Sequence, residues 1–142
     1  MKNAIIHIKM TNRDRMSGED AVTELTTTGS IDGTQDDLRI GYAETDDAMR
    51  GCLTTMRIER QQLATMTRTG AYAAALTIEQ DRRHNCLYAT PFGEMMMGFY
   101  GKRVQCSLSE TTAQVLLDYA IDLNTSPFAD VSMQIDVKTK EE

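Results

Sequence analysis

Val131, Met133, Ile135 and Val137 alternate with Ser132, Gln134, Asp136 and Lys138. Successive side chains of a strand point to opposite faces, so this pattern makes a ribbon with one apolar and one solvated face. The same period returns along the chain: Ile6, Ile8 and Met10; Leu38, Ile40 and Tyr42; Cys52, Thr54, Met56 and Ile58; Tyr72, Ala74, Leu76 and Ile78; Val115, Leu117, Tyr119, Ile121 and Leu123. Thr-rich stretches fill the gaps, one with Ala21, Leu25 and Ile31 on a single face and one from Leu63 to Thr69, and β-branched Thr favours the pleated backbone. Turn signals separate the runs: Asp32-Gly33, Gln61-Gln62, Gly70, the charged Glu79 to Arg83, Pro91 with Gly93, and Asn124 to Pro127. His84 to Thr90 reads as a further strand, and Glu94 to Leu108 as one long strand or two broken near Gly98 or Gly101.

About nine or ten strands at hairpin spacing, with no β-α-β rhythm, predict an all-β fold: a closed antiparallel meander barrel of about 8–10 strands, in which closure removes exposed edges. At 142 residues the chain is read as one domain, 1–142. Two stretches also fit a helix. Asp46 to Met66 spaces Met49, Leu53, Met56, Arg60 and Leu63 helically, but holds Gly51 and Thr54-Thr55 in its interior. Ala113 to Leu123 aligns Leu116, Ala120 and Leu123, whereas the strand reading gathers Asp118 and Asp122 on the polar face.

A formal net charge of −6 opposes non-specific nucleic-acid binding, which depends on neutralising phosphates. The paired cations Arg82, Arg83, Lys102 and Arg103 read as a solvated rim. Cys52, Cys86 and Cys106 are odd in number and form no C-x-x-C, which suits reduced thiols and neither a disulfide framework nor zinc. Residues 1–10 hold too short an apolar run for a signal peptide, and no window approaches the ~20 apolar residues of a spanning helix. A cytoplasmic protein without membrane contact, metal or cofactor is expected.

Arg68-Thr69-Gly70, then His84-x-Cys86-x-Tyr88-x-Thr90-Pro91-x-Gly93 and Met97-Gly98, form a pattern that resembles the YwiB-like family of small bacterial proteins. The likeness extends upstream through Tyr42-x-Glu44, Gly51 and Thr54-Thr55, and downstream to Tyr119 ahead of Asn124, covering about Thr28 to Val137. The resemblance implies a calycin-like barrel, related in shape to lipocalins, with no activity to carry over. The Ala-rich strand after Arg68 (Ala71, Ala73, Ala74, Ala75) and three consecutive Met bear on how full such a barrel is.

Arg68 is the first candidate: a barrel-lining guanidinium grips a carboxylate or phosphate with two bonds. The bland alternative is that it points outward or pairs with Glu44 or Glu94. His84 and Tyr88 share a strand face by parity and could hold a polar head, but a structural histidine is the commoner outcome. Thr90-Pro91-Phe92-Gly93 reads as a corner, Met95 and Met97 as a soft lining with Met96 opposite, and Glu44, Asp46 and Asp47 as a solvated loop without calcium-loop spacing. The leading expectation is a module that binds a small molecule with a polar or acidic head, using Arg68 as anchor, Tyr42, Tyr88 and Tyr119 as polar-tipped walls, and Glu44 and His84 near the head. The alternative is a structural or interaction protein with a filled barrel acting as a homodimer. An enzyme is least supported, since no nucleophile motif, metal set or cofactor loop is present.

Overall fold

The computed structural model describes residues 2–44, 51–70, 73–90, 93–123 and 125–140, and of residues 88–90 the backbone path alone. The Asp46–Asp47 cluster, Tyr72 and the Pro91–Phe92 corner lie outside the described residues. Ten strands follow one another: β1 (Lys2–Asp14), β2 (Asp20–Thr34), β3 (Asp37–Ala43), β4 (Leu53–Glu59), β5 (Leu63–Thr69), β6 (Ala74–Glu79), β7 (Arg83–Thr90), β8 (Gly93–Leu108), β9 (Thr112–Leu123) and β10 (Ser126–Thr139). Each pairs antiparallel with its neighbours in sequence, and β10 returns to β1, so the meander closes into a barrel. The strand reading of Ala113 to Leu123, and of the described part of Asp46 to Met66, therefore stands over the helical one.

The alternation places the core. Ile6, Ile8, Leu38, Ile40, Met56, Ile58, Leu76, Ile78, Val115, Leu117, Ile135 and Val137 all face inward and are buried. In β8 the inward set switches parity, from Phe99 to Val104 and Cys106, because the register shifts between Gly101 and Arg103. A one-residue bulge at Lys102 explains why this stretch reads as either one strand or two. A second shift, between Pro127 and Ala129, leaves Phe128 exposed. The Asp32-Gly33 turn signal is displaced: β2 runs through it, and the chain reverses at residues 35–36, where Thr34 pairs with Asp37. Gly33 takes φ +105° and absorbs twist just before the reversal.

One end of the barrel is closed by two glutamines from hairpin tips. Gln35, between β2 and β3, reaches across to β8, where its side-chain oxygen accepts the Leu108 amide at 3.4 Å and its carbonyl accepts the Cys106 thiol at 3.3 Å. Gln80, between β6 and β7, accepts the Val104 amide at 3.1 Å. These contacts satisfy donors on the edge of β8 beyond Tyr100, where the pairing with β7 has ended. Burial raises the Cys106 thiol above its ordinary value, with Asp36 adding to the effect, which favours the neutral thiol over the thiolate. Between β6 and β7 the register among the described residues is the one pair Ala74 with Tyr88, and the Thr77 amide donates to the Cys86 sulfur at 3.3 Å.

Ion pairs staple the outer face. Arg57 grips Asp37 with two bonds of 2.9 Å, and Arg83 grips Asp122 with bonds of 2.8 and 2.6 Å. Arg15 and Lys102 converge on Asp130, each at 3.0 Å. The Arg57 hydrogen bond holds Asp37 below its ordinary carboxyl value of 3.8, and the Arg83 bond does the same to Asp122. Partial burial pushes Asp130 up, but Lys102 and Arg15 together bring it below that value. The folded chain thus resists protons that the unfolded chain accepts, so the stability these groups confer is complete above about pH 4 and drains as pH falls through their lowered values. The melting temperature, followed by circular dichroism, is expected to be insensitive to these groups between about pH 7 and 4.5 and to fall below about pH 4. Asp122→Asn is expected to flatten that fall, and an unchanged acid profile in this variant would show that the Arg83 pair carries no weight.

Candidate functional site

At the end opposite the glutamine plugs, the inward side chains do not meet. A cavity of about 430 Å³ opens there, lined by Ile8 and Met10 of β1, Thr23, Glu24 and Leu25 of β2, Tyr42 of β3 with Glu44 just beyond it, Met66 and Arg68 of β5, Leu76 of β6, Tyr119 of β9 and Met133 of β10. These strands lie on opposite sides of the closed barrel, so the space they enclose is the lumen itself. The floor is apolar and the wall carries the polar groups, as in small-molecule sites. A groove of about 500 Å³ elsewhere is larger, but its polar wall of His7, Gln114, Asp136 and Lys138 is the ordinary outer face of β1, β9 and β10.

The local pattern puts the polar groups together. Tyr42, Thr54, Arg68 and Ala74 are cross-strand partners in one row through β3, β4, β5 and β6. Arg68 is 9 % exposed and Thr54 2 %, the two buried polar residues among those described. Arg68 has a partner within the chain. The Thr54 hydroxyl donates to Glu44 Oε1 at 2.6 Å, and the Glu44 amide bonds the Cys52 carbonyl at 3.0 Å, which extends the β3–β4 ladder by one residue and fixes this carboxylate at the mouth. Across the lumen, the Tyr119 ring rests against Phe99 with centroids 5.9 Å apart.

Of the six residues singled out from the sequence, Arg68, Tyr42, Glu44 and Tyr119 line this cavity. His84 is not among its lining residues. Its Nε2 meets Glu79 Oε1 at 2.8 Å beside the β6–β7 hairpin, and Glu79 pairs with Leu63, five residues along β5 from Arg68 and roughly 17 Å away at strand rise. Tyr88 pairs with Ala74 in the backbone register, and its side chain lies outside the described residues. Glu94 is exposed. The thioether lining expected at Met95 and Met97 is supplied instead by Met10, Met66 and Met133, whereas Met95 and Met96 are exposed and Met97 is half-buried. Thr54 was legible as an inward position but not as the partner of Glu44, because that contact crosses from one strand to the loop edge of the next.

Among the described residues no helix is long and apolar enough to cross a membrane. Among the described residues the outer face carries a paired apolar feature: Leu87 and Met96 are cross-strand partners, 50 % and 52 % exposed.

The crystal structure of the ywiB protein from Bacillus subtilis matches this fold with a TM-score of 0.84 at 20 % sequence identity, over 99 % of this chain and 93 % of that one. At that identity the likeness speaks for the barrel alone. None of the curated proteins matches the chain. The family model described as a domain of unknown function, DUF1934, matches residues 6–135, a span running from β1 into β10 and wider than the stretch over which the Arg-x-Gly and Thr-Pro-x-Gly elements carry the resemblance. The chain therefore belongs to the DUF1934 family, a domain of unknown function.

Proposed function

We propose that this chain is a small-molecule binding barrel whose ligand enters the open end, apolar body down and polar or acidic head toward Arg68. The observation that carries this reading is the unevenly filled lumen: at one end inward side chains are buried and the space left is about 240 Å³ beside Ile31, Leu38 and Leu108, whereas the other end leaves about 430 Å³ with a buried arginine in its wall. A barrel of this size has room for one small ligand beyond its own side chains. An arginine placed there is costly as core and useful as a recognition group, since its fork binds carboxylate or phosphate oxygens in pairs.

The fluorescent dye 8-anilinonaphthalene-1-sulfonate, an apolar body with an anionic head, probes the mouth directly. Saturable 1:1 binding in the micromolar range is expected. Leu25→Trp, which fills the half-buried edge of the mouth with an indole, is expected to abolish binding while the far-ultraviolet spectrum stays that of the parent. Non-saturable dye uptake, or binding indifferent to Leu25→Trp, would sink the proposal. That result would favour the second reading, a barrel working through its outer surface, for which the exposed Leu87–Met96 pair is the supporting feature.

A further inference from the structure

The mouth has a charge pattern that narrows its ligand, provided that it is a ligand site. We infer that it takes a zwitterionic head group, an anion and a cationic hydrogen-bond donor a few bonds apart, on a compact apolar body such as a single aromatic ring. Three observations converge. First, the described wall holds both signs: Arg68 on β5 and Glu44 at the end of β3. Glu24, the other acid of the lining, sits at the rim with its carboxylate 3.7 Å from His7 Nε2 on the outer face. Inside the rim the described residues therefore sum to a formal charge of zero. A simple anion would complement Arg68 but face Glu44, and a simple cation would do the reverse. A zwitterion complements both of these described charges, and in a partly buried site like-charge contacts weigh more than in water.

Second, Glu44 is held for recognition rather than left loose. Thr54, buried to 2 %, donates to Glu44 Oε1 at 2.6 Å and orients the carboxylate. An ionised carboxylate only accepts and offers about four lone-pair directions, so it retains capacity for a ligand donor. The guanidinium has five donors, so Arg68 can bond ligand oxygens alongside its partner in the chain. Third, the space is short. Leu76 and Met133 of the floor share cross-strand rows with buried Met56 and Leu117, and the next row inward, Leu38, Ile58, Ala64 and Ile78, is buried too. Among the described residues the lumen beyond the floor is therefore occupied and suits a compact body better than a long acyl chain.

Three probes with one body and different heads test this by isothermal titration: phenylalanine, 3-phenylpropanoate and phenethylamine. Phenylalanine is expected to bind at least about tenfold tighter than either of the others. Glu44→Gln is expected to remove its advantage over 3-phenylpropanoate, and Arg68→Gln its advantage over phenethylamine. The comparison on the parent protein stands even if the arginine variant fails to fold. If 3-phenylpropanoate matches phenylalanine while Leu25→Trp still blocks both, the zwitterion assignment is overturned and the binding site survives. If the dye binds and none of the three probes does, the assignment is likewise overturned. If neither dye nor probes bind, the site reading falls with it.

Discussion

Gly29→Ala is expected to destabilise the fold by roughly 3 kcal/mol or more, lowering the melting temperature by about 10 °C. Gly29 lies in the middle of β2, where it pairs with Ala4 on one side and Tyr42 on the other. A Cβ there would overlap the carbonyl oxygen of Gly41 on the neighbouring strand and come within 2.7 Å of the Ile6 side chain, which is fully buried. A flexible side chain could swing aside, but a ladder carbonyl cannot move without opening β2 from β3. Overpacking a core costs about 1–3 kcal/mol when side chains can yield, so a clash with backbone belongs at or above the top of that range. Gly41→Ala is the internal comparison. The nearest atom to a Cβ at Gly41 is the Ser30 hydroxyl at 3.5 Å, an ordinary contact, so this variant is expected within about 0.5 kcal/mol of the parent. Chemical denaturation of the two variants decides: equal midpoints would show that β2 does not approach β3 as described.

Gly29 also marks a boundary of what the chain discloses before it is folded. The strand-by-strand alternation was readable because a one-residue slip would turn every apolar side chain outward, so each strand's inner face is written in its own residues. Closure was readable in kind, from many short strands without crossovers. What was not readable is anything that joins residues distant in sequence. Gly29 has no turn signal around it, and its role depends on a carbonyl twelve residues away. The glutamine plugs are of the same sort: Gln35 sits 71 and 73 residues from its Cys106 and Leu108 partners. At the mouth, Tyr42 and Tyr119 fell on the apolar side of their strands by parity, whereas Arg68 stood out only as a charge in an apolar-leaning strand, and its own strand did not say which way it points. For His84 parity gave only a face shared with Tyr88, and the face of a strand does not say which end of the barrel it occupies. Its proximity to Glu79 across the β6–β7 hairpin decides its surroundings.

The contrast between the two ends of the lumen yields the second large effect. Leu117→Ala is expected to cost about 3–4 kcal/mol, and Leu25→Ala about 1 kcal/mol or less. The chemistry of the two deletions is identical, so the difference isolates packing. Leu117 is 1 % exposed, and its cross-strand partners are Val104 and Met133, both buried. Removing its side chain loses the transfer term and leaves a void that paired strands on both sides cannot collapse. Leu25 is half-buried on a wall that already borders open space. Its truncation widens an existing cavity and creates no new one, so the cavity term nearly vanishes. Urea unfolding of both variants measures the difference directly, because the linear slope reports whether the unfolded reference has changed. Equal losses would mean that the mouth is as tightly packed as the plugged end, and the binding proposal would lose its physical basis. A large gap would mean that stability resides in the plugged half, where Leu38, Ile58, Val115 and Ile135 are fully buried. Side chains around Arg68 could then vary with the ligand while the barrel stays folded, which is the condition a binding barrel has to meet.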